Sequence, residues 1–292
     1  MASRTQKLKE TDQSLWLDNI QRRELHDGTL QRMIDADGIC GITSNPTIFM
    51  NAVSKSTDYD GQILTLTRQG RSARDIYTQI TIEDVRDAAK ILLPVFEATG
   101  RQDGFVSIEL NPQLAFQVAE SIQEARSLTA AIGLPNIMVK VPGTRAGLSV
   151  LRQLITEGIN VNVTLLFSPQ RYREVAQTYI QGLEDRLRQD QDIAQVRSVA
   201  SFFISRIDTK VDGRVDKIAA ANSAAKALRG QAAVQGAKVA YALFRELFFA
   251  ERFKALEHRG GRIQRLLWAS TGTKDPAYSD VKYVEELIAP QT

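Results

Sequence analysis

Seven short apolar runs are spaced along the chain: SLWLD (14–18), GICGITSN (38–45), FVSIEL (105–110), IMVKV (137–141), INVNVTLLF (159–167), VRSVASFFIS (196–205) and RLLWAST (265–271). Their length and their β-branched and aromatic content predict strands, most of them buried on both faces. Between them apolar residues recur every three to four positions, the period of an amphipathic helix. A helix opened by Pro112 would carry Val118, Ile122, Ala125 and Thr129 on one side. Ser168-Pro169 offers an N-cap and a first-turn proline. The helix after it carries Tyr172, Val175, Tyr179, Leu183 and Leu187 on one face. Segments 73–98 and 236–257 also read as helix, the second with Leu243, Leu247 and Phe248 on its apolar side. The longest interval between strands, roughly 46–104, has room for more than one helix.

Repeated strand–helix units predict an α/β fold with a parallel sheet covered on both faces. Seven or eight such units in 292 residues favour a closed TIM-type (β/α)₈ barrel over an open doubly wound sheet, with residues 1–292 as a single barrel domain. No G-x-G-x-x-G follows any strand, which counts against a nucleotide-binding Rossmann fold. Only seven strands are found, so the eighth is expected to be missing or truncated at the C-terminus.

Composition narrows the function classes. The chain is 43% hydrophobic and 24% charged, with a net charge of +3. That balance gives no reason to expect nucleic acid as a partner and leaves small anionic substrates open. No apolar run approaches a membrane span, and MASRTQKLKE has no signal-peptide core. The single cysteine, Cys40, excludes an intramolecular disulfide and suits a reducing compartment. The few residues before the first strand are too short for an organelle transit segment, so the expected location is cytoplasmic. The two histidines, His26 and His258, have no ligand-like spacing, which counts against zinc and against a histidine-dependent triad. The sequence leaves oligomeric state open, a homo-oligomer included.

The candidate chemistry sits at the C-terminal ends of the strands. These carry Asp18 and Asn19; Thr43, Ser44 and Asn45; Glu109; Lys140; Asn162 and Thr164; Ser201, Phe203, Ser205 and Arg206; and Ser270 and Thr271. In a barrel those ends converge on one mouth, where active sites are built. Each residue alone has a plainer reading. Lys140 fits a snorkelling edge residue, Asp18 and Asn45 fit turn formers or helix caps, Glu109 an ion-pair partner of Lys140, and Thr164 a β-branched strand residue. Together they offer one amine, two carboxylates, amides and hydroxyls. A strand lysine among apolar neighbours has its ammonium form disfavoured, and a neutral amine attacks a carbonyl to form a Schiff base. Asp18 and Glu109 are the carboxylates available for the proton transfers such chemistry needs. Arg206 is placed to hold an anionic end of the substrate, preferably a phosphate.

These residues lie in segments that resemble transaldolase: TSNPTIF (43–49), SIELNPQLAF (107–116), IMVKVPGT (137–144), GINVNVTLLFS (158–168) and LLWASTGTKDPAY (266–278). The likeness is greatest to the longer bacterial branch related to transaldolase/phosphoglucose isomerase fusions, and it runs through nearly the whole chain. It implies an α/β barrel that moves a dihydroxyacetone unit from a ketose phosphate to an aldose phosphate in the pentose phosphate pathway, with no metal or organic cofactor. It further implies Lys140 as the Schiff-base nucleophile and Asp18 as the proton acceptor and donor during C–C cleavage and formation. Glu109 and Thr164 would hold a proton-shuttling water. Asn45, Asn162 and Ser201 would bind the three-carbon unit, Phe203 would wall the pocket and Arg206 would bind phosphate. A fructose-6-phosphate aldolase-like activity is the alternative within the family. A weakly active truncated barrel serving as a binding or assembly module is the alternative outside it.

The sequence departs from the family pattern at two places. A second phosphate arginine is expected soon after strand seven. Ser270 matches the family's serine there, but the only nearby cation is Lys274. Related sequences also continue past YVEELI into a further strand and helix, whereas this sequence ends at Pro290-Gln291-Thr292.

Overall fold

Every predicted apolar run contributes a strand. In the computed structural model, which describes residues 5–292, the chain divides into two units, Met1–Lys140 and Val141–Thr292. The fold class is α/β of the TIM-barrel type, with seven strands among the described residues and helices between them.

In the first unit, β1 (Leu15–Leu17) is followed by α1 (Arg22–His26) and α2 (Thr29–Asp37). Strand β2 (Ile39–Ile42) leads into α3 (Pro46–Ser54), α4 (Asp60–Arg68) and α5 (Ala73–Ala98), so the interval after it holds three helices. Strand β3 (Phe105–Glu109) precedes α6 (Val118–Ile132), and the unit ends within β4 (Ile137–Pro142). The strands β1, β2, β3 and β4 pair parallel in chain order. Gly41 on β2 is required by packing, because a Cβ there would collide with the indole of Trp16 on β1. Helix α5 starts at a capping box: the Ser72 hydroxyl accepts from Asp75 N, and the Asp75 carboxylate accepts from Ser72 N.

A buried polar group ties the outer helices of this unit together. Arg22 on α1 donates to Asp84 of α5 at 2.8 Å and to Gln62 of α4 at 2.6 Å, and its guanidinium lies 4.4 Å from the centre of the Tyr59 ring. Tyr59 donates to the other oxygen of Asp84 at 2.8 Å. Burial pushes the Asp84 carboxyl up, and Arg22 and Tyr59 counter that rise. Removing one partner of a buried ion pair strands the other charge. Arg22→Met is therefore expected to cost about 3–5 kcal/mol in urea unfolding. A loss under 1 kcal/mol would contradict a structural role for this pair.

The second unit contains α7 (Arg145–Glu157), β5 (Val161–Leu166), α8 (Pro169–Arg188), β6 (Ser198–Phe203) and α9 (Ser205–Ala219). Next come α10 (Ala232–Phe248), α11 (Glu251–Glu257), β7 (Gln264–Ala269) and α12 (Lys282–Glu286). Strands β5, β6 and β7 are parallel, and β6 is buried along its whole length. Helix α8 begins as its sequence predicts, with Ser168 accepting from Arg171 N and Pro169 in the first turn. Tyr172, Val175, Tyr179 and Leu183 face the core, while Leu187 is half-buried.

Two helices differ from the sequence reading. Pro112 opens a 3₁₀ turn (Pro112–Leu114), and α6 begins only at Val118. Asn111 caps this turn by accepting from Gln113 N, and Ser121 of α6 donates to Leu114 O at 2.9 Å. With that entry the buried stripe of α6 is Ser121, Ala125, Leu128 and Ile132, so Val118, Ile122 and Thr129 stand at its margin. The segment 236–257 is broken between α10 and α11. The bend brings Phe253 edge-on to Phe248, centroids 4.9 Å apart, and the core stripe is Ala233, Ala237, Ala240, Phe244 and Phe248. No described helix is long and apolar enough to cross a membrane.

Candidate active site

Lys140 lies in an apolar strand. Ile137, Met138, Val139 and Val141 are fully buried, and Lys140 itself is 6% exposed. Residues alternate between faces along a strand, and Lys140 pairs in register with Glu109 of β3. The two side chains therefore share a face, with Nζ 3.9 Å from Glu109 Oε2. That oxygen is buried and has no hydrogen-bond partner among the described residues. Burial pushes the Glu109 carboxyl up; Lys140 pulls it back in part, and the charge of Asp18 adds to the rise. Nζ also donates to the carbonyl oxygen of Ser44 at 2.9 Å.

The remaining polar groups of this unit sit where β1 and β2 end. Asp18 directly follows β1, is exposed, and accepts from the Thr43 hydroxyl at 2.5 Å. The Thr43 amide in turn donates to Leu17 O at 2.9 Å, so backbone and side chain of one threonine hold the end of β1. Asn45 caps α3 with its Oδ1, which accepts from Ile48 N at 3.0 Å. Capping engages the carbonyl oxygen of that side chain and leaves its amide nitrogen as a donor. Tyr77 of α5 also senses this region: burial raises its hydroxyl first, and the charge of Glu109 adds to that.

In the second unit, Asn162 and Ser201 meet: the Ser201 hydroxyl donates to Asn162 Oδ1 at 2.7 Å, and both residues are buried. Thr164 is buried beside a bulge. Val163 pairs with Ala200 and Leu166 with Phe202, so β5 carries one residue more than β6 between these pairs. The extra residue sends Leu165 to a left-handed φ of 61° and leaves it 42% exposed. The Thr164 carbonyl accepts from Gly143 N at 2.8 Å. Phe203 packs against Phe167 with centroids 5.1 Å apart, and the exposed Arg206 guanidinium lies 4.9 Å from the Phe203 centroid. Ser270, at φ 57°, shares a 2.9 Å hydroxyl–hydroxyl bond with Ser205. Lys274 is exposed and folds back near Gly272.

The segment after β7 is held by a ladder of acids on α9. Asp208, Asp212 and Asp216 are four residues apart and so share a face. Asp208 accepts from Ala233 N and from the Tyr283 hydroxyl, and Asp212 from Gly230 N and the Tyr278 hydroxyl. Arg229 pairs with Asp216 and with Asp275. Burial and Asp212 push the Tyr278 hydroxyl up to about 12.

Sequence reasoning did not assign roles to Thr43, Ser44, Phe167 or Ser205. Thr43 and Ser44 lay in the same strand end as Asn45, but a role carried by a main-chain carbonyl has no residue-type signature. Among the described residues no group of three or more His, Cys, Asp or Glu side chains is placed to hold a metal ion.

Comparison with known proteins agrees along the chain. A family profile described as Transaldolase/Fructose-6-phosphate aldolase matches residues 15–292. The chain is 46% identical over 292 residues to Transaldolase 2 of Nostoc sp., covering 98% of this chain and 77% of that protein. It is 44% identical to the Transaldolase of Saccharopolyspora erythraea, covering 99% of this chain and 78% of that one. With the Transaldolase of Mycobacterium ulcerans the figures are 45%, 96% and 74%. A buried strand lysine beside a carboxylate, a matching profile over 15–292 and identities of this size place the chain in the transaldolase/fructose-6-phosphate aldolase family.

Proposed function

We propose that the chain is a transaldolase acting on phosphorylated sugars through a Schiff base on Lys140. The observation that carries this reading is the buried Lys140 amine, 2.9 Å from a carbonyl oxygen and 3.9 Å from a carboxyl whose proton affinity is raised. The Lys140 nitrogen attacks the C2 carbonyl of a ketose phosphate through its lone pair and forms a carbinolamine. Glu109, acting through a water, supplies the proton with which that hydroxyl leaves as water, giving an iminium. Asp18 takes the proton from the C4 hydroxyl. The C3–C4 bond then breaks, its electron pair passes into the iminium, and an aldose phosphate departs. The remaining enamine attacks an acceptor aldehyde through C3, Asp18 returns its proton, and water releases the new ketose phosphate from Lys140.

Asn45, Asn162 and Ser201 hold hydroxyls of the three-carbon unit, and Phe203 walls it. Arg206 binds phosphate, with Ser270 and Lys274 as further contacts. Cytoplasmic location is part of the proposal and is supported by the single cysteine of the sequence, Cys40, which excludes an intramolecular disulfide. The test is transfer itself: fructose 6-phosphate with erythrose 4-phosphate should give sedoheptulose 7-phosphate and glyceraldehyde 3-phosphate. Release of dihydroxyacetone at a comparable rate without acceptor would favour the aldolase reading. Absence of both products from folded protein would overturn the proposal. In the same assay Arg206→Gln is expected to raise KM for the phosphorylated donor about 10- to 100-fold, as loss of one charge-assisted phosphate contact does. An unchanged KM would remove Arg206 from phosphate binding.

A further inference from the structure

The main-chain carbonyl of Ser44 lies 2.9 Å from the Lys140 amine, a full ångström closer than Glu109. What fixes that carbonyl is not the sheet. Strand β2 pairs with β3 only through Gly41–Phe105 and Ile42–Val106, so Ser44 lies two residues past the last ladder pair. Its own hydroxyl completes the connection, donating to Ser107 O on β3 at 2.9 Å. Ser44 and Ser107 are both fully buried, so this bond does not compete with bulk water. Ser107 stands two residues before Glu109, and its partner Met138 stands two before Lys140. One hydroxyl thus references the amine's acceptor to the strand that carries the carboxylate.

We propose that Ser44 is a positioning residue for the nucleophile: its hydroxyl, bonded to Ser107 O, holds the Ser44 carbonyl that orients the N–H bonds of Lys140. The inference rests on the Schiff-base reading above and adds a residue to it. An acceptor at that point directs one N–H of the amine and leaves the lone pair to meet the substrate carbonyl. After dehydration the same oxygen receives the single remaining N–H of the iminium, which sets the plane of the C=N bond. Both steps depend on orientation, and displacement of a reacting group by about 1 Å costs on the order of 10²-fold in rate. The role assigned to Ser44 is orientation of the amine, so substrate binding is expected to change little when its hydroxyl is removed.

The test is steady-state kinetics together with borohydride trapping of the fructose 6-phosphate adduct. Ser44→Ala is expected to lower kcat and the trapping rate at saturating donor about 10- to 100-fold. KM should change less than about threefold, and Ser44→Thr, which keeps the hydroxyl, should recover most of the loss. A general loosening of the fold would move KM as well and would not discriminate alanine from threonine. Should Ser44→Ala fail to melt cooperatively, Ser44→Cys, close in size and a weak donor, is read in the same assays with an intermediate loss expected. Wild-type trapping with kcat of the alanine or cysteine variant within twofold of wild type would overturn the proposal while leaving the Schiff-base reading intact. No adduct in wild type would overturn both.

Discussion

Lys140→Met is expected to lower the transfer rate by about 10⁴-fold or more while leaving the protein folded. In the proposed mechanism the amine captures the electrophile, and methionine matches the length of the stem without any nucleophilic nitrogen. The polar groups described beside its nitrogen, the Ser44 carbonyl and the Glu109 carboxyl, offer no amine in its place. The fold should tolerate the change, since Met138, Val139 and Val141 already make this an apolar environment. Glu109 then loses the one cation that counters its burial, and its carboxyl is expected to rise further. Residual activity within tenfold of wild type would place the nucleophile elsewhere.

Glu109→Gln carries the second large effect and separates catalysis from stability. In the proposed mechanism the carboxyl moves protons while the carbinolamine dehydrates. Loss of such a group lowers kcat about 10²- to 10³-fold with little change in KM. Stability should move the other way. Burial raises the folded-state pKa of Glu109 from its ordinary 4.5, even with Lys140 opposing the rise. A carboxyl raised on folding binds its proton more tightly in the folded state. Its favourable contribution is complete below the unfolded value and is lost as pH rises through the folded one. Above the folded value the ionised carboxylate therefore works against the fold, and the neutral amide does not. Thermal melts should show Glu109→Gln above wild type at pH 7, with the gap closing as pH falls below 4.5. A variant that melts lower at neutral pH would mean that attraction to Lys140 outweighs burial. Higher stability with lower activity is the pattern expected where an active site holds a group in an unfavourable state.

The strands and their polar ends were legible because both depend on residue type and spacing. Each strand buried on both faces leaves a short apolar run, and a lysine inside one is conspicuous. The helix breaks at 115–117 and 249–250 were not legible, because packing sets them. Ser121 bonding to Leu114 O and Phe253 meeting Phe248 involve partners whose approach no local pattern encodes. The bulge at Leu165 belongs to the same class: alternation through INVNVT (159–164) gives way to the apolar run LLF, which does not say which residue is extra, and only pairing with β6 reveals it. Asn45 shows how two readings combine. The cap expected from its residue type is present through Oδ1, and the proposed contact with substrate uses the other end of the same side chain. The Ser44 carbonyl marks the limit, since every residue has one and only its position gives it a role.

Schiff-base chemistry at Lys140 requires a covalent bond from its nitrogen to the C2 carbon of a ketose phosphate. Reduction with borohydride in the presence of fructose 6-phosphate, followed by peptide mass analysis, tests it most directly. A sugar-derived adduct is expected on Lys140 and is expected to be absent from Lys140→Met. Folded protein that yields no adduct, or an adduct on another lysine, would contradict it.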